Sequence, residues 1–266
     1  MKIIFFGDIV GQPGREAIKK IVPRWQKRYQ PDLLVANGEN IAHGSGITEK
    51  TLQELLSAGV DIITSGDHIL KQINSQKKPF AFLKDKKMPI IRPANCPTKM
   101  PGRGYLLKEV GTKKVLIINL IGLDFISHNE NCSNPFKKID RILSKKGKEV
   151  DIILIDFHAE TTAEKVCLGW YLDGRVSAVL GTHTHVPTAD ERILPQKTAY
   201  ITDVGMVGVR DSSLGRDKEA AVKRFLTGID SHLDVPEGPV EVNAVLLKIS
   251  RDGRAKKIQR LQEIVN

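Results

Sequence analysis

Apolar residues in this chain are gathered into short runs, and each run stops at a small group of glycine and polar residues. The clearest runs cover residues 2–6, 32–37, 61–65, 151–157 and 175–180. Nearly continuous apolar runs of this length are typical of strands that are covered on both faces. The pattern therefore predicts buried strands, each ending in a polar turn.

Helical patterns lie between these runs. Residues 15–29 have helical periodicity, and Thr48 and Gly59 are suited to begin and end a second helix. Further helices are predicted at 137–148, 161–172 and 218–226, and further strands at 89–94, 105–110, 114–121, 198–202 and 240–249. Strands that alternate with helices predict a layered α/β fold with a mixed sheet. No linker divides the chain, so we expect one domain over residues 1–266.

Composition excludes several classes of protein. The chain has 266 residues, 41% hydrophobic residues and a formal net charge of +10. No apolar run approaches the roughly 20 residues needed to cross a bilayer, and no targeting segment is evident, so we expect a cytoplasmic protein without membrane contact. The positive charge would draw anionic substrates. Cys96, Cys132 and Cys167 are widely spaced and are interpreted as free thiols in a reducing compartment.

Side chains that bind metal ions concentrate where the predicted strands end. The set consists of Asp8, Glu39, Asn40, Asp67, His68, His158, His183 and His185. In α/β sheets, ligands bind beyond the carboxyl ends of the strands. Carboxylates and imidazoles without thiolates suit Mn, Fe, Zn or similar divalent ions. The number of donors favours two ions bridged by a carboxylate over one.

Taken singly, most of these residues have an ordinary structural explanation. Asp8 after a strand is more often a helix cap, Asp67 and His68 could form an ion pair, and His158 could be a core histidine. His183 and His185 are more specific, because alternate residues of an extended strand face the same way. The metal interpretation rests on the whole set occurring in this order.

Five motifs carry a resemblance to a known family. GDIVG, NGEN, SGDH, DFHAE and GTHTH resemble the conserved boxes of metallophosphoesterases, and RPANCP and AYITDVGMVG extend the match along the chain. The sequence is most similar to the YmdB-like branch, which is similar to 2′,3′-cyclic-nucleotide phosphodiesterases. This resemblance implies a metallophosphoesterase-like sandwich in which mixed sheets are flanked by helices, with a dinuclear metal site at the carboxyl ends of the strands.

The resemblance also implies a role for each matching residue. Asp8, Glu39, Asn40 and His185 would hold the first metal ion. Glu39 would bridge to a second ion, completed by Asp67, His158 and His183. His68 would be the general acid. Val10 stands where other metallophosphoesterases have a histidine, and Asn40 is expected to fill that place.

One position departs from the family pattern. Asp67 stands where the family has asparagine, which adds a negative charge beside an anionic substrate and can change the pKa of His68. We expect tighter metal binding and altered catalysis. Among the other candidates, Glu160 is interpreted as a helix start or cap, Asn95 could line the pocket, and His43 could touch substrate. His128 and His232 have no evident partners.

The resemblance implies a hydrolase that opens small cyclic nucleotides such as 2′,3′-cyclic AMP with two divalent ions per chain. Fe or Mn is expected first, with Zn or Mg as alternatives. Two other functions stay open: a phosphomonoesterase or 5′-nucleotidase on the same metal core, and a regulatory protein that binds nucleotide or RNA with little turnover. The expected partner is a small nucleotide phosphodiester. Nucleic-acid binding and homo-oligomer formation are left open, and residues that bind substrate are not assigned.

Overall fold

The computed structural model describes residues 1–75, 81–147, 149–230 and 232–266. These residues form twelve strands and seven helices. The strands are β1 Lys2–Ile9, β2 Leu33–Asn37, β3 Ile62–Thr64, β4 Tyr105–Val110, β5 Lys113–Ile121, β6 Ile152–His158, β7 Ala178–Thr182, β8 Arg192–Ile193, β9 Ala199–Ile201, β10 Met206–Val209, β11 Val240–Ile249 and β12 Ala255–Val265. The helices are α1 Gly11–Tyr29, α2 Glu49–Ser57, α3 Asp67–Asn74, α4 Ala81–Lys84, α5 Pro135–Leu143, α6 Thr162–Tyr171 and α7 Lys218–Thr227.

The strands are divided between two six-stranded mixed sheets. Sheet one has the order β12-β11-β10-β1-β2-β3, and β1 runs parallel to β2 and β10 but antiparallel to β11. Sheet two has the order β4-β5-β6-β7-β9-β8, with parallel pairing from β5 to β9 and an antiparallel strand at each edge. Both sheets therefore place the carboxyl ends of their central parallel strands together.

Alternation along β1 shows how the layers are held. Ile3 and Phe5 are buried in the core between the two sheets, together with residues of β2, β5, β6 and β7. Ile4 and Phe6 face the opposite side and belong to the core beneath α1 and α2. A third core lies between sheet two and helices α5 and α6. The predicted fold class, mixed sheets flanked by helices, is confirmed. Helices cover the sheets because strands with apolar residues on both faces require cover on both faces.

Some predicted elements differ from the structure. Residues 89–94 form only an isolated bridge between Ile63 and Ile90, because Pro89 and Pro93 lack a backbone N–H for a ladder. The buried guanidinium of Arg92 instead donates to the carbonyls of Pro93, Pro97, Met100 and Pro101. The helix predicted at 137–148 is α5, which begins at Pro135 and ends at Leu143, and Lys148 lies outside the described residues.

The cysteine interpretation was wrong for two of the three residues. Cys96 and Cys132 form a disulfide, while Cys167 is free and exposed. Asn95 and Ser133, which neighbour them, bind each other: the Ser133 N–H donates to the Asn95 carbonyl at 2.7 Å. That pairing brings the two thiols together, so free thiols no longer support a reducing compartment. Within the described residues, no helix combines the length and apolar character needed to span a membrane.

Candidate metal centre

The carboxyl ends of the parallel strands meet across the two sheets. Asp8 lies in β1, and Glu39 and Asn40 follow β2 in sheet one. His158 ends β6 in sheet two, yet its Nε2 lies 3.1 Å from Glu39 Oε1. The main-chain N–H of His183 donates to Asp8 Oδ2 at 3.1 Å, again from sheet two to sheet one. Side chains from both sheets therefore share one buried site.

Four of these side chains form a cluster suited to a single ion. Glu39, Asp67, His158 and His183 each offer one ligand atom, and all four atoms lie within 4.8 Å of one another. His158 Nε2 is 3.4 Å from Asp67 Oδ1 and 3.0 Å from His183 Nδ1. Ligand bonds of about 2.0–2.2 Å let one divalent ion contact all four donors from the centre of such a group. We call these residues the first cluster.

Both imidazoles of the first cluster are held from their far side. His158 Nδ1 lies 2.9 Å from Thr182 Oγ1, and the Thr182 hydroxyl donates to Asp156 Oδ1 at 2.7 Å. His183 Nε2 lies 2.9 Å from Glu160 Oε2. Partners of this kind set the tautomer and orientation of a metal-binding histidine. The nitrogens left facing the cluster are His158 Nε2 and His183 Nδ1.

A second cluster is formed by Asp8, Asn40 and His185. It adjoins the first, because Asp8 Oδ1 lies 3.9 Å from His158 Nδ1. His185 Nε2 is 3.1 Å from the Asn40 amide nitrogen and 3.9 Å from Asp8 Oδ1. Its Nδ1 donates to the carbonyl of Leu214 at 2.9 Å, which leaves Nε2 directed toward the cluster. Burial raises the pKa of Asp8, and the nearby histidines oppose that rise. We call these residues the second cluster.

Unsatisfied oxygen atoms support cation binding at both clusters. Among the buried side-chain nitrogen and oxygen atoms of the described residues, those without a hydrogen-bond partner are Asp8 Oδ1, Asn40 Oδ1 and Asp67 Oδ1. A buried oxygen without a partner is costly. All three orphaned atoms belong to residues predicted from sequence as ligands, and all are hard oxygen donors. The donor set therefore fits divalent ions.

The charges of the first cluster depend on one another. Burial favours the neutral form of Glu39, but His158 and His68 outweigh it and hold the Glu39 pKa well below its usual value. Burial and the charge of Glu39 raise the pKa of Asp67. Burial and His158 lower the pKa of His183 to about 3, so this ring is neutral at physiological pH and able to ligate. Two buried carboxylates this close require positive charge nearby.

Gly66 leaves the space that the first cluster occupies. A Cβ at this position would lie 2.2 Å from the His158 ring and 2.3 Å from Glu39 Oε2. Real Cβ contacts do not come this close, and the obstructing atoms are a ring and a carboxylate held in place. A side chain at residue 66 would therefore displace the ligand atoms, which explains why glycine precedes Asp67.

His68 lies beside the first cluster at the start of α3. Its main-chain N–H donates to Glu39 Oε2 at 3.1 Å, and its ring Nδ1 lies 3.0 Å from Glu39 Oε1. Burial lowers the pKa of His68, but the charge and hydrogen bond of Glu39, with Asp67, raise it overall. The side chain is 29% exposed. His68 is thus positioned to carry a proton at the edge of the site.

Three expectations about individual residues need correction. His183 and His185 do not continue an extended strand, because β7 ends at Thr182 and their φ angles are 109° and 66°. Their rings enter different clusters. Glu160 does not cap α6, since Thr161 does, and its carboxylate holds His183 instead. Asn95 is buried and binds the carbonyls of Ile121 and Ser133, so it organises the loop and does not line a pocket.

The turn that carries both histidines rests on an ion pair that sequence reasoning missed. Lys165 Nζ lies 2.7 Å from Asp203 Oδ2, and each side chain is only 1% exposed. Asp203 Oδ2 also accepts from the main-chain N–H and the hydroxyl of Thr184, at 3.1 and 2.8 Å. Thr184 separates His183 from His185. The two residues of the pair are 38 positions apart, so only the fold brings them together.

The remaining histidines lie outside both clusters. The carbonyl of His43 accepts from Arg216 Nη1 at 3.1 Å, which ties the loop after Asn40 to residue 216. His232 forms an exposed ion pair with Asp234 at 3.3 Å. His128 lies in the loop between β5 and α5 and has a φ of 62°. None of these imidazoles belongs to the first or second cluster.

Two mixed sheets flanked by helices, with carboxylate and imidazole donors at the carboxyl ends of the strands, define an α/β protein with a candidate metal centre. A structure of the same fold is the NAD nucleotidase of Haemophilus influenzae, with a TM-score of 0.63 at 13% identity, covering 100% of this chain and 56% of that chain. At that identity the likeness concerns the fold alone. The chain matches the model of YmdB-like proteins over residues 4–261, and it belongs to that family.

Relatives that are closer in sequence align along nearly the whole chain. A Bacillus subtilis protein named 2′,3′-cyclic-nucleotide 2′-phosphodiesterase is 44% identical over 266 residues, covering 100% of this chain and 97% of its own. A Thermus thermophilus protein described as a hypothetical protein has a TM-score of 0.90 at 38% identity, with 99% of both chains covered. A Mycoplasma pneumoniae protein described as a novel phosphatase has a TM-score of 0.90 at 34% identity, covering 99% of this chain and 93% of that chain.

Proposed function

We propose that this protein is a dinuclear-metal phosphodiesterase that hydrolyses 2′,3′-cyclic nucleotides, and that residues 1–266 act as one domain. The observation that carries the proposal is the pair of adjoining clusters, with orphaned oxygens in both. The name of the Bacillus subtilis relative supplies the substrate class. Hydrolysis at the 2′ ester leaves a 3′-nucleotide, which is the product we expect.

Each predicted ligand has a place in this proposal. Glu39 would contribute to both sites. Asp67, His158 and His183 would complete one, and Asp8, Asn40 and His185 would complete the other. Oxygen and nitrogen donors accept Fe, Mn, Zn or Mg, with Fe or Mn expected first. Two divalent ions would supply Lewis-acid stabilisation of the phosphate and a water that deprotonates near neutral pH.

The protein's own groups supply the proton for the departing ribose oxygen. Nδ1 of His68 is held by Glu39 at 3.0 Å, so the opposite ring nitrogen is free to face a bound ester. The raised pKa keeps this imidazole protonated to a higher pH than an ordinary histidine. A protonated His68 can donate to the leaving oxygen as the P–O bond breaks, which is general-acid catalysis.

The deciding experiment combines elemental analysis with hydrolysis of 2′,3′-cyclic AMP before and after chelation. We expect about two ions per chain, consistent with a two-metal mechanism, together with chelator-sensitive formation of 3′-AMP. Turnover should be lost in His68→Ala while metal content stays unchanged. Bound metal without turnover, even after Mn²⁺ or Fe²⁺ is added, would overturn the proposal and favour a regulatory protein that binds nucleotide.

A phosphomonoesterase is the second candidate, because the Mycoplasma pneumoniae relative is described as a phosphatase. The same metal core can serve both classes of ester. Comparing turnover of bis(p-nitrophenyl) phosphate with that of p-nitrophenyl phosphate separates them. Faster turnover of the monoester would replace the diesterase proposal with this one.

A further inference from the structure

An exposed aromatic side chain lies on the loop that leaves the metal centre along β5. Phe125 is 91% exposed, although phenylalanine is normally buried. Its φ is 56°, in the left-handed region that bulky residues rarely adopt. Such a conformation persists only where the surrounding structure holds it, and it tends to occur at functional sites. Phe125 therefore combines a strained backbone with an apolar ring that is in contact with water.

Hydrogen bonds fix the beginning of this loop to the metal centre. The N–H of Gly122 donates to the carbonyl of His158 at 2.9 Å. The N–H of Leu123 donates to Glu164, and the Asn129 amide donates to the carbonyls of Gly122 and Leu123 at 3.1 Å. Three peptide units separate Gly122 from Phe125, so their Cα atoms lie within about 11 Å of each other.

The residue after Phe125 fixes the loop on its other side. Ile126 is buried in the same core cluster as Ile69 and Leu70 of α3. Helix α3 begins with Asp67 and His68. Phe125 therefore lies between a segment that is hydrogen-bonded to His158 and a residue buried in the core to which α3 contributes. The backbone is fixed on both sides while the ring remains open to solvent.

A flat apolar ring near a phosphate site suits a nucleobase. Aromatic side chains stack on bases of any identity, because every base presents a π-face. The two clusters would hold the phosphate but offer only polar groups to the base. We propose that Phe125 forms the nucleobase subsite of the metal centre, stacking on the base of a nucleotide whose phosphate lies at the clusters. This inference rests on the proposed function, because it assumes a nucleotide substrate.

The test compares a substrate that has a base with one that lacks it. Phe125→Ala should raise KM for 2′,3′-cyclic AMP roughly tenfold, the size expected for loss of one stacked base, with kcat little changed. Hydrolysis of ribose 2′,3′-cyclic phosphate should be unaffected, and Phe125→Tyr should restore the KM. Phe225→Ala is the matched control, because Phe225 lies on α7 and is 89% exposed. Equal losses on both substrates, or the same loss in Phe225→Ala, would overturn the subsite.

A binding measurement separates this inference from the proposed function. In Phe125→Trp, the added tryptophan fluorescence should be quenched by 3′-AMP but not by ribose 5-phosphate, whereas Phe225→Trp should show no quenching. Quenching in a protein that does not hydrolyse 2′,3′-cyclic AMP would support the subsite and remove the proposed reaction. Hydrolysis without quenching would support the reaction and remove the subsite.

Discussion

The two clusters of the metal centre differ in how their imidazoles are held. In the first cluster, Thr182 contacts His158 and Glu160 contacts His183, so side chains fix both rings. In the second cluster, the ring of His185 is fixed by the main-chain carbonyl of Leu214. A side-chain partner can be removed by a single substitution, whereas a main-chain carbonyl is present whichever residue occupies the position. The first cluster is therefore the one that substitution can tune.

The clusters also differ in charge. The first contains two carboxylates, Glu39 and Asp67, whereas the second contains Asp8 beside the neutral amide of Asn40. Asp67 adds a negative charge where the family resemblance implies asparagine. A more negative site holds a cation more tightly, but it also repels a phosphate anion more strongly. This difference predicts that metal affinity and turnover respond in opposite directions at residue 67.

Replacing the shared carboxylate should have the largest effect. Glu39→Gln removes the charge that contacts His158 at 3.1 Å and His68 at 3.0 Å. We expect both ions and all hydrolysis to be lost, measured by elemental analysis and 3′-AMP formation. Asp8→Asn is the comparison, because Asp8 is assigned as a ligand of the second cluster, and this variant should leave one ion bound. If Glu39→Gln keeps both ions, Glu39 does not bridge.

Breaking the buried ion pair between Lys165 and Asp203 should destabilise the protein and the turn that carries His183 and His185. Lys165→Met leaves Asp203 buried without its cation, and the free energy of unfolding should fall by about 3–5 kcal/mol. Denaturant unfolding of the chelated protein measures this. The control is Lys113→Met, because the 2.6 Å pair of Lys113 with Asp151 is partly exposed and worth about 0–1 kcal/mol. Equal losses would mean that burial does not set the strength of the Lys165 pair.

Asp67→Asn should affect the first cluster alone. Removing one charge beside a divalent ion should weaken binding on the order of 10- to 100-fold, after the relief of desolvation is subtracted. Turnover of metal-saturated enzyme should rise, because repulsion of the phosphate falls. Competition with a metal-sensitive dye gives the affinity, and steady-state kinetics give the turnover. Unchanged affinity and turnover would show that this departure from the family pattern has no consequence.

Glu160→Gln should have the smallest effect. Loss of an outer partner of a metal-binding histidine costs 10- to 100-fold in affinity, and about tenfold is expected because Glu160 is half exposed. Dye competition on the chelated and reloaded protein measures it. Glu130→Gln serves as the control, since Glu130 lies on an exposed loop. A loss that spread to both ions would contradict the assignment of Glu160 to His183.

Much of the fold could be predicted from local pattern. Strand β11 has the predicted bounds, and β1, β2 and β6 lie within three residues of theirs, because each is an apolar run that ends in polar residues. Thr48 was predicted to cap α2 and does so through Thr51. Strand β12 was missed, since charged and polar residues interrupt its apolar positions at the edge of sheet one. Edge strands carry a weaker apolar signal than central strands.

The partners of the site residues could not be predicted in the same way. Sequence placed Asp8, Glu39 and His158 at strand ends, and the structure brings them to one place. Nothing in the sequence indicated that Glu160 contacts His183 or that Lys165 contacts Asp203, because pairs across elements leave no periodic signal. The disulfide between Cys96 and Cys132 was missed for the same reason.

The sequence by itself determined the layered α/β class, the central strands and the donor residues at their ends. These follow from local chemistry: apolar runs must be covered, and polar groups collect where strands stop. Only the tertiary structure decided that His183 and His185 enter different clusters, and that Phe125 stands exposed on a loop fixed to His158. Such features depend on distances between residues far apart in the chain, which packing of the two sheets sets and local pattern does not record.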